Sequence, residues 1–255
     1  MTKLTVAAAQ VAPVPGDVAA NVAQSVARIH EAAAKGVQLV VFPELSLIGY
    51  RLDLLDRPDV WIAEGDARLE PIREAVIATG VTAAVGAAWR EVDGTPRIAT
   101  LVFRPDGSME LVFKMHVHAS EDVWFTSAPY PPKIVEVGGW NVAFAICFDA
   151  ANPEHAMAAK EAGAEIYADS GLYVTSEIRR LDLHFGARAM DERMFSLFAN
   201  STGVAPDWES CGRSGTWGPD GEVRVTSGLE EGLVIDTFDR AEFPQWLLQD
   251  TTILS

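Results

Sequence analysis

Residues 4–10 (Leu-Thr-Val-Ala-Ala-Ala-Gln) and 37–42 (Val-Gln-Leu-Val-Val-Phe) are short, nearly unbroken apolar runs, without the strict polar alternation of a strand that has one wet face. Strands of this kind are covered on both sides, so each predicts a layer above and a layer below it. Between the two runs Asp17 offers a helix N-cap, Val18, Val22, Val26 and Ile29 recur at helical spacing, and Gly36 supplies the stop. Strand, helix and strand at this separation form a right-handed crossover that sets the strands parallel in one sheet. Pro43-Glu44 then halts the second strand and leaves a carboxylate at its exit.

The rest of the first half predicts a loop over residues 50–67 able to wall a pocket, a helix over 70–79 and strands over 81–89 and 98–104. Pro105-Asp106-Gly107 is turn chemistry that folds the last of these back as a hairpin onto 109–113, with Lys114 directly at the strand end. The second half repeats the plan. Strands are expected over 134–137 and 141–146, helices over 153–162 and 175–193, and strands over 165–168 and 195–200. A second turn, Pro219-Asp220-Gly221, joins 214–217 to 222–226. Two halves that each contain strand-helix-strand and each close on Pro-Asp-Gly imply an internal pseudo-two-fold. The expected fold is an α/β, four-layer α-β-β-α sandwich, two sheets face to face with helices outside. No linker or low-complexity tract interrupts it, so residues 1–255 read as one domain. The apolar tail, Phe243-Pro-Gln-Trp-Leu-Leu, is expected to bury against the body or a second subunit.

Charge narrows the partners. With 20 Lys and Arg against 36 Asp and Glu the formal net charge is −16, which repels phosphate backbones and anionic lipid, so nucleic acid and membranes are poor partners. Two cysteines fit a reducing compartment, the N-terminus reads as a strand rather than a signal peptide, and no run approaches the ~20 apolar residues of a membrane helix. A cytoplasmic protein is expected.

The run 142–149, Val-Ala-Phe-Ala-Ile-Cys-Phe-Asp, delivers a thiol to a strand exit, where α/β folds present their chemistry. Glu44, Lys114 and Cys147 therefore all stand at strand ends. A free thiol, with a pKa of roughly 8.5, is mostly protonated at neutral pH and needs a base or a cation to become a nucleophile. Glu44 can take that proton, and a buried Lys114 with the backbone N–H of Phe148 can steady an oxyanion. Taken singly, Cys147 could be a small buried hydrophobe, Glu44 a helix-start carboxylate and Lys114 a solvated strand terminus. His116 and His118 alternate on an extended segment as some metal ligands do, but His30, His155 and His184 lie in helical contexts without matching carboxylates, so no metal is expected. The residues around Cys147 lack a papain-like signature.

The neighbourhoods of the three residues carry a resemblance. Phe42-Pro43-Glu44-Leu45 with Gly49-Tyr50, Phe113-Lys114-Met115-His116 with Glu121 and Phe125-Thr126, and Ile146-Cys147-Phe148-Asp149 with Pro153-Glu154 resemble, in order and spacing, the glutamate, lysine and cysteine blocks of the nitrilase superfamily of carbon–nitrogen hydrolases. Gly163-Ala164-Glu165, Arg188-Ala189, Ala199-Asn200 and Gly218-Pro219-Asp220-Gly221 match downstream, so the resemblance covers nearly the whole chain. It implies a Cys147 nucleophile, Glu44 as general base and then acid, Lys114 on the oxyanion and Glu121 orienting Lys114 or the substrate. It also implies no metal or organic cofactor and a homodimer or larger assembly.

Phe148-Asp149 after the cysteine is similar to the amidase and carbamoylase branches rather than to true nitrilases, which makes a small carboxamide the expected substrate. An N-carbamoyl compound is the alternative, then a nitrile, then a non-catalytic scaffold. Many relatives have arginine where this chain has Ala151, which weakens a dicarboxylate monoamide as substrate. Tyr50, Trp124, Tyr130 and Tyr173 stand near the blocks as candidate pocket walls, Asp149 is expected to shape the turn after Cys147, and Cys211 has no evident partner.

Overall fold

In strand β1 (Lys3–Gln10), Leu4, Val6 and Ala8 bury themselves in one hydrophobic cluster while Ala7 and Ala9 belong to another, and all five are fully buried. That split, expected of a strand covered on both faces, runs through the whole computed structural model, which describes residues 2–243. After β1 come helix α1 (Val18–Ala34), β2 (Leu39–Val41), β3 (Ile62–Ala63), helix α2 (Glu70–Thr79), β4 (Thr82–Arg90), β5 (Pro96–Phe103) and β6 (Met109–Phe113). The second half contains β7 (Ile134–Val137), β8 (Trp140–Ile146), helices α3 (Phe148–Ala151) and α4 (Pro153–Glu161), β9 (Ile166–Gly171), helix α5 (Ile178–Glu192) and β10 (Phe195–Asn200). A small ribbon of β11 (Val204–Ala205) and β12 (Trp208–Glu209) precedes β13 (Gly215–Trp217), β14 (Val223–Thr226) and β15 (Gly232–Asp239).

One sheet runs β15-β1-β2-β4-β5-β6, with β3 beside β4, and the other runs β14-β13-β10-β9-β8-β7. Read from β15 and from β7 respectively, the two show the same sequence of pairings: antiparallel, parallel, parallel, antiparallel, antiparallel. This is the pseudo-two-fold. Both Pro-Asp-Gly turns close the last hairpin of their sheet, β5–β6 and β13–β14. Three hydrophobic clusters fill the spaces between four layers. One sits under α1 and α2, another between the sheets with Val142, Phe144, Ile166, Ala168, Phe195 and Leu197, and the third under α4 and α5 with Tyr167, Phe185 and Phe198. The four-layer sandwich expected from the sequence is the observed fold. Asp17 caps α1 by accepting from the Ala20 N–H at 3.0 Å, as its position predicts.

Strand β15 has no counterpart in the sequence reading. Its pattern is only partly buried, and its partner β1 lies at the other end of the chain, so no local signal announces the pairing. It fills in the first sheet the place that β7 takes in the second. The Phe238 ring of β15 stacks on Phe195 of β10 at 4.4 Å, an aromatic contact worth about 0.5–1.5 kcal/mol beyond its burial. Phe243 packs on Trp140 and Phe195, while the remainder of the apolar tail lies outside the described residues. Residues 50–67, expected as plain loop, contain two 3-10 turns and β3, and Tyr50 to Asp53 do wall a cavity. Among the described residues no helix is long and apolar enough to cross a membrane.

Candidate active site

The loop that leaves β2 can lie against β4 because of one missing side chain. A Cβ on Gly86 would come within 2.3 Å of the Pro43 carbonyl oxygen and 2.6 Å of the Leu45 nitrogen, both backbone atoms with no freedom to yield. Ser46 Oγ accepts the Gly86 N–H at 3.1 Å, and the Leu47 N–H donates to the Gly86 carbonyl at 3.0 Å, fastening the loop to the strand. Glu44 is thereby held in the interior, 1% exposed. Gly86→Ala is expected to cost about 1–3 kcal/mol through this overpacking and to lower any activity that depends on Glu44; thermal unfolding alongside an activity assay measures both.

Lys114, fully buried, follows β6, and its backbone N–H donates to the Ile98 carbonyl at 2.9 Å. Its Nζ lies 2.6 Å from Glu44 Oε1 and 2.7 and 2.9 Å from the two oxygens of Glu121. Glu121, also fully buried, further accepts the Tyr50 hydroxyl at 2.5 Å and the His118 N–H at 2.8 Å. The ammonium thus has both carboxylates as partners, and Glu121 is the more completely satisfied of the two. Glu44 Oε2 is buried without a hydrogen-bond partner among the described residues. Burial drives the Glu44 carboxyl upward, Lys114 opposes this and Glu121 reinforces it, leaving it raised to about 8. The Lys114 ammonium is raised too: burial works against the charge, and Glu44, Cys147 and Glu121 outweigh it.

Cys147 directly follows β8 with φ 51° and ψ −95°, a positive-φ backbone that an L residue adopts only under constraint. Its N–H is shared between the Ser170 carbonyl at 3.0 Å and Asp169 Oδ1 at 3.1 Å. Gly171 lets the end of the neighbouring strand β9 lie close, since a Cβ there would touch Cys147 at 3.4 Å and the Phe198 ring at 2.9 Å. Burial and then Glu44 push the thiol well above its usual range, while Lys114 pulls it down. The resting group is a protonated thiol beside a carboxyl that titrates near 8.

Asp149 ties the lysine and cysteine segments together. One oxygen accepts the N–H groups of Met115 at 3.2 Å and His116 at 2.8 Å and sits 2.9 Å from His116 Nδ1; the other accepts the Ile146 N–H at 3.1 Å. The role expected for Asp149, shaping the turn after Cys147, therefore extends to clamping two strand ends. His116 Nε2 is hydrogen-bonded to Tyr130 at 2.8 Å and His118 Nδ1 to Ser120 at 2.9 Å, so the two histidines serve different neighbours. Among the described residues no group of His, Cys, Asp and Glu is arranged to hold a metal ion.

A cavity of about 520 Å³ opens over Cys147. Tyr50, Leu52, His118, Phe148, Leu172, Tyr173 and Trp208 are among its walls, with charged groups from Arg51, Asp53, Glu177, Arg180 and Asp207. Phe148 begins α3, where backbone N–H groups have no acceptor within the helix. Tyr50 and Tyr173 line the cavity as expected, but their hydroxyls are engaged, Tyr50 with Glu121 and Tyr173 with His184 at 2.9 Å. Trp124 and Tyr130 are not among the wall residues: Trp124 packs against the cluster under α1 and α2, and Tyr130 faces outward on His116.

Sequence reasoning missed several supports. Asp169 is fully buried, its Oδ2 has no hydrogen-bond partner among the described residues, and burial holds its carboxyl well above the usual range. Asn200 brackets Tyr173, accepting its N–H and donating to its carbonyl, both at 3.0 Å. Cys211, expected to have no role, donates its thiol to the same Tyr173 carbonyl at 3.2 Å. These residues stand at positions whose local sequence carries no sign of the wall they hold.

Several known proteins are similar to this chain in sequence or in fold. Residues 5–247 match the family model described as carbon-nitrogen hydrolase. A protein described as a hydrolase in the pqqF 5′ region of Pseudomonas protegens is 30% identical over 241 residues, covering 93% of this chain and 83% of its own length. A nitrilase of Pyrococcus abyssi is 27% identical over 217 residues, covering 83% and 80%. In three dimensions the amidase of Nesterenkonia sp. AN1, solved in complex with acrylamide, superposes with a TM-score of 0.86 at 21% identity over 96% of this chain and 94% of that one.

Proposed function

The chain belongs to the carbon–nitrogen hydrolase family within the nitrilase superfamily, and from that premise we propose that it hydrolyses a carboxamide to the acid and ammonia through a thioester on Cys147. The observation that carries this reading is the buried contact of Lys114 with both Glu44 and Glu121 beside a strained cysteine at the floor of the cavity.

Glu44 acts as the base. Its unpartnered Oε2 is free to take the thiol proton as Sγ attacks the carbonyl carbon. Taking that proton neutralises Glu44 and loosens its hold on Lys114, which releases an ammonium N–H for the oxyanion, with the Phe148 N–H as second donor. Glu121, bonded to Lys114, the Tyr50 hydroxyl and the His118 N–H, holds the ammonium in place through this exchange. Glu44 then returns the proton to the departing ammonia and activates the water that opens the thioester.

The test is ammonia release from aliphatic amides, N-carbamoyl amino acids and nitriles, with intact-mass detection of an acyl adduct. Carbon dioxide released with the ammonia favours a carbamoyl substrate, and turnover of nitriles alone favours the reaction named for the Pyrococcus relative. A base must be ionised to work, so kcat/KM is expected to rise with pH through an apparent value of about 8, the value to which Glu44 is raised. A profile flat from neutral pH upward would place the Glu44 carboxyl well below 8, and turnover retained by Glu44→Gln would exclude it as the base.

A further inference from the structure

The charged groups of the cavity are not equally available to a ligand. Arg51 grips Asp53 with Nε at 2.7 Å and Nη2 at 2.5 Å, and Arg180 Nη1 lies 2.7 Å from Glu177. Both guanidinium groups that reach the cavity are thus already paired with a carboxylate before a substrate arrives, which offsets their attraction for a second one. The third acid, Asp207, is exposed and has no hydrogen bond or ion pair among the described residues, and its charge adds to the field around Arg51. It stands next to Trp208, also a wall residue, which is positioned by a 3.4 Å bond from its ring N–H to the Tyr50 carbonyl. Three carboxylates against two guanidinium groups leave the cavity acidic, on a chain whose net charge is already −16. An aromatic face beside an uncommitted carboxylate suits an ammonium group, whereas a carboxylate finds like charge. The cavity of about 520 Å³ also exceeds what a short unsubstituted amide fills.

We propose that the amide cleaved at Cys147 carries a cationic amine distal to its carboxamide, and that Asp207 beside Trp208 selects it. This rests on the amidase reading and narrows it to a substrate class. The apolar walls Leu52, Phe148, Leu172 and Trp208 accommodate the methylene chain between the two ends. Asp207 is a specificity residue: it touches the far end of the substrate and takes no part in the bond cleavage.

Three series of amides with matched chain lengths test it: unsubstituted, ω-amino and ω-carboxy. At the best length the ω-amino amide is expected to exceed the unsubstituted one in kcat/KM by about tenfold, mainly through KM, and the ω-carboxy amide to be the poorest. Asp207→Asn should collapse the amino-to-unsubstituted ratio to near unity, whereas Glu209→Gln, an exposed acid nearby that does not line the cavity, should preserve it. The ratio should also shrink at high ionic strength. Unsubstituted amides cleaved as well as the amines, a preference for carboxylates, or a ratio unaffected by Asp207→Asn would each overturn the charge selection while leaving the amidase standing. No ammonia and no acyl adduct from any series would instead remove the amidase reading itself, and the selection with it.

Discussion

Cys147→Ala is expected to lower amide turnover by on the order of 10⁵-fold, the scale on which a covalent catalyst loses its nucleophile. It should do so without loss of the fold. The thiol contributes little to packing, and its Sγ makes a long 3.9 Å contact to the Leu172 carbonyl. The constraint lies in the backbone: φ 51° is as strained for alanine as for cysteine, so the Ala variant should melt close to the wild type. Cys147→Gly, which adopts positive φ at little cost, should be at least as stable as Cys147→Ala and equally inactive. Ammonia assays and thermal unfolding of the two variants separate chemistry from stability. If the Ala variant retained turnover within an order of magnitude of wild type, the thioester route would be excluded.

Lys114→Met is expected to affect both. The substitution keeps an unbranched side chain of similar length but leaves Glu44 and Glu121 buried with no cation between them. Removing one partner from a buried charge cluster costs about 3–5 kcal/mol, and each kcal/mol lowers Tm by about 2–4 °C in a protein of this size. The pH dependence identifies the cause. Glu44 already binds its proton more tightly folded, at about 8, than at its reference value of 4.5, so between those values the folded state holds the extra proton and stability falls as pH rises. Without Lys114 the carboxyl rises further and the loss extends to higher pH. The deficit of Lys114→Met relative to wild type should therefore be smallest in mild acid and grow toward pH 9. A deficit independent of pH would mean that lost packing, and not unpaired charge, is responsible.

Three residues of the candidate site were legible in the chain because each stands at the end of an apolar run, and strand ends are where α/β sheets place polar groups. Glu44 follows β2, Lys114 follows β6 and Cys147 follows β8, and the two hairpin turns were legible because Pro-Asp-Gly acts on its immediate neighbours. What the sequence could not show was anything whose partner is distant. Gly86 looks like an ordinary small residue in a strand until the Glu44 loop is seen lying on it. Asp169 reads as a polar residue near a strand end, yet it accepts the Cys147 N–H. Cys211 and Asn200 acquire a purpose only through Tyr173.

The sequence by itself therefore determined the layers, the crossovers and the internal repeat and set Glu44, Lys114 and Cys147 each at a strand end, since periodicity and turn chemistry act over a few residues. Tertiary structure alone decided that β15 completes the first sheet, that the Glu44 loop lies on Gly86, and that Trp208, not Trp124, walls the cavity. The physical reason is common to all three: each is settled by contact between segments far apart in the chain, where burial and close packing select the partner and local pattern carries no record of it.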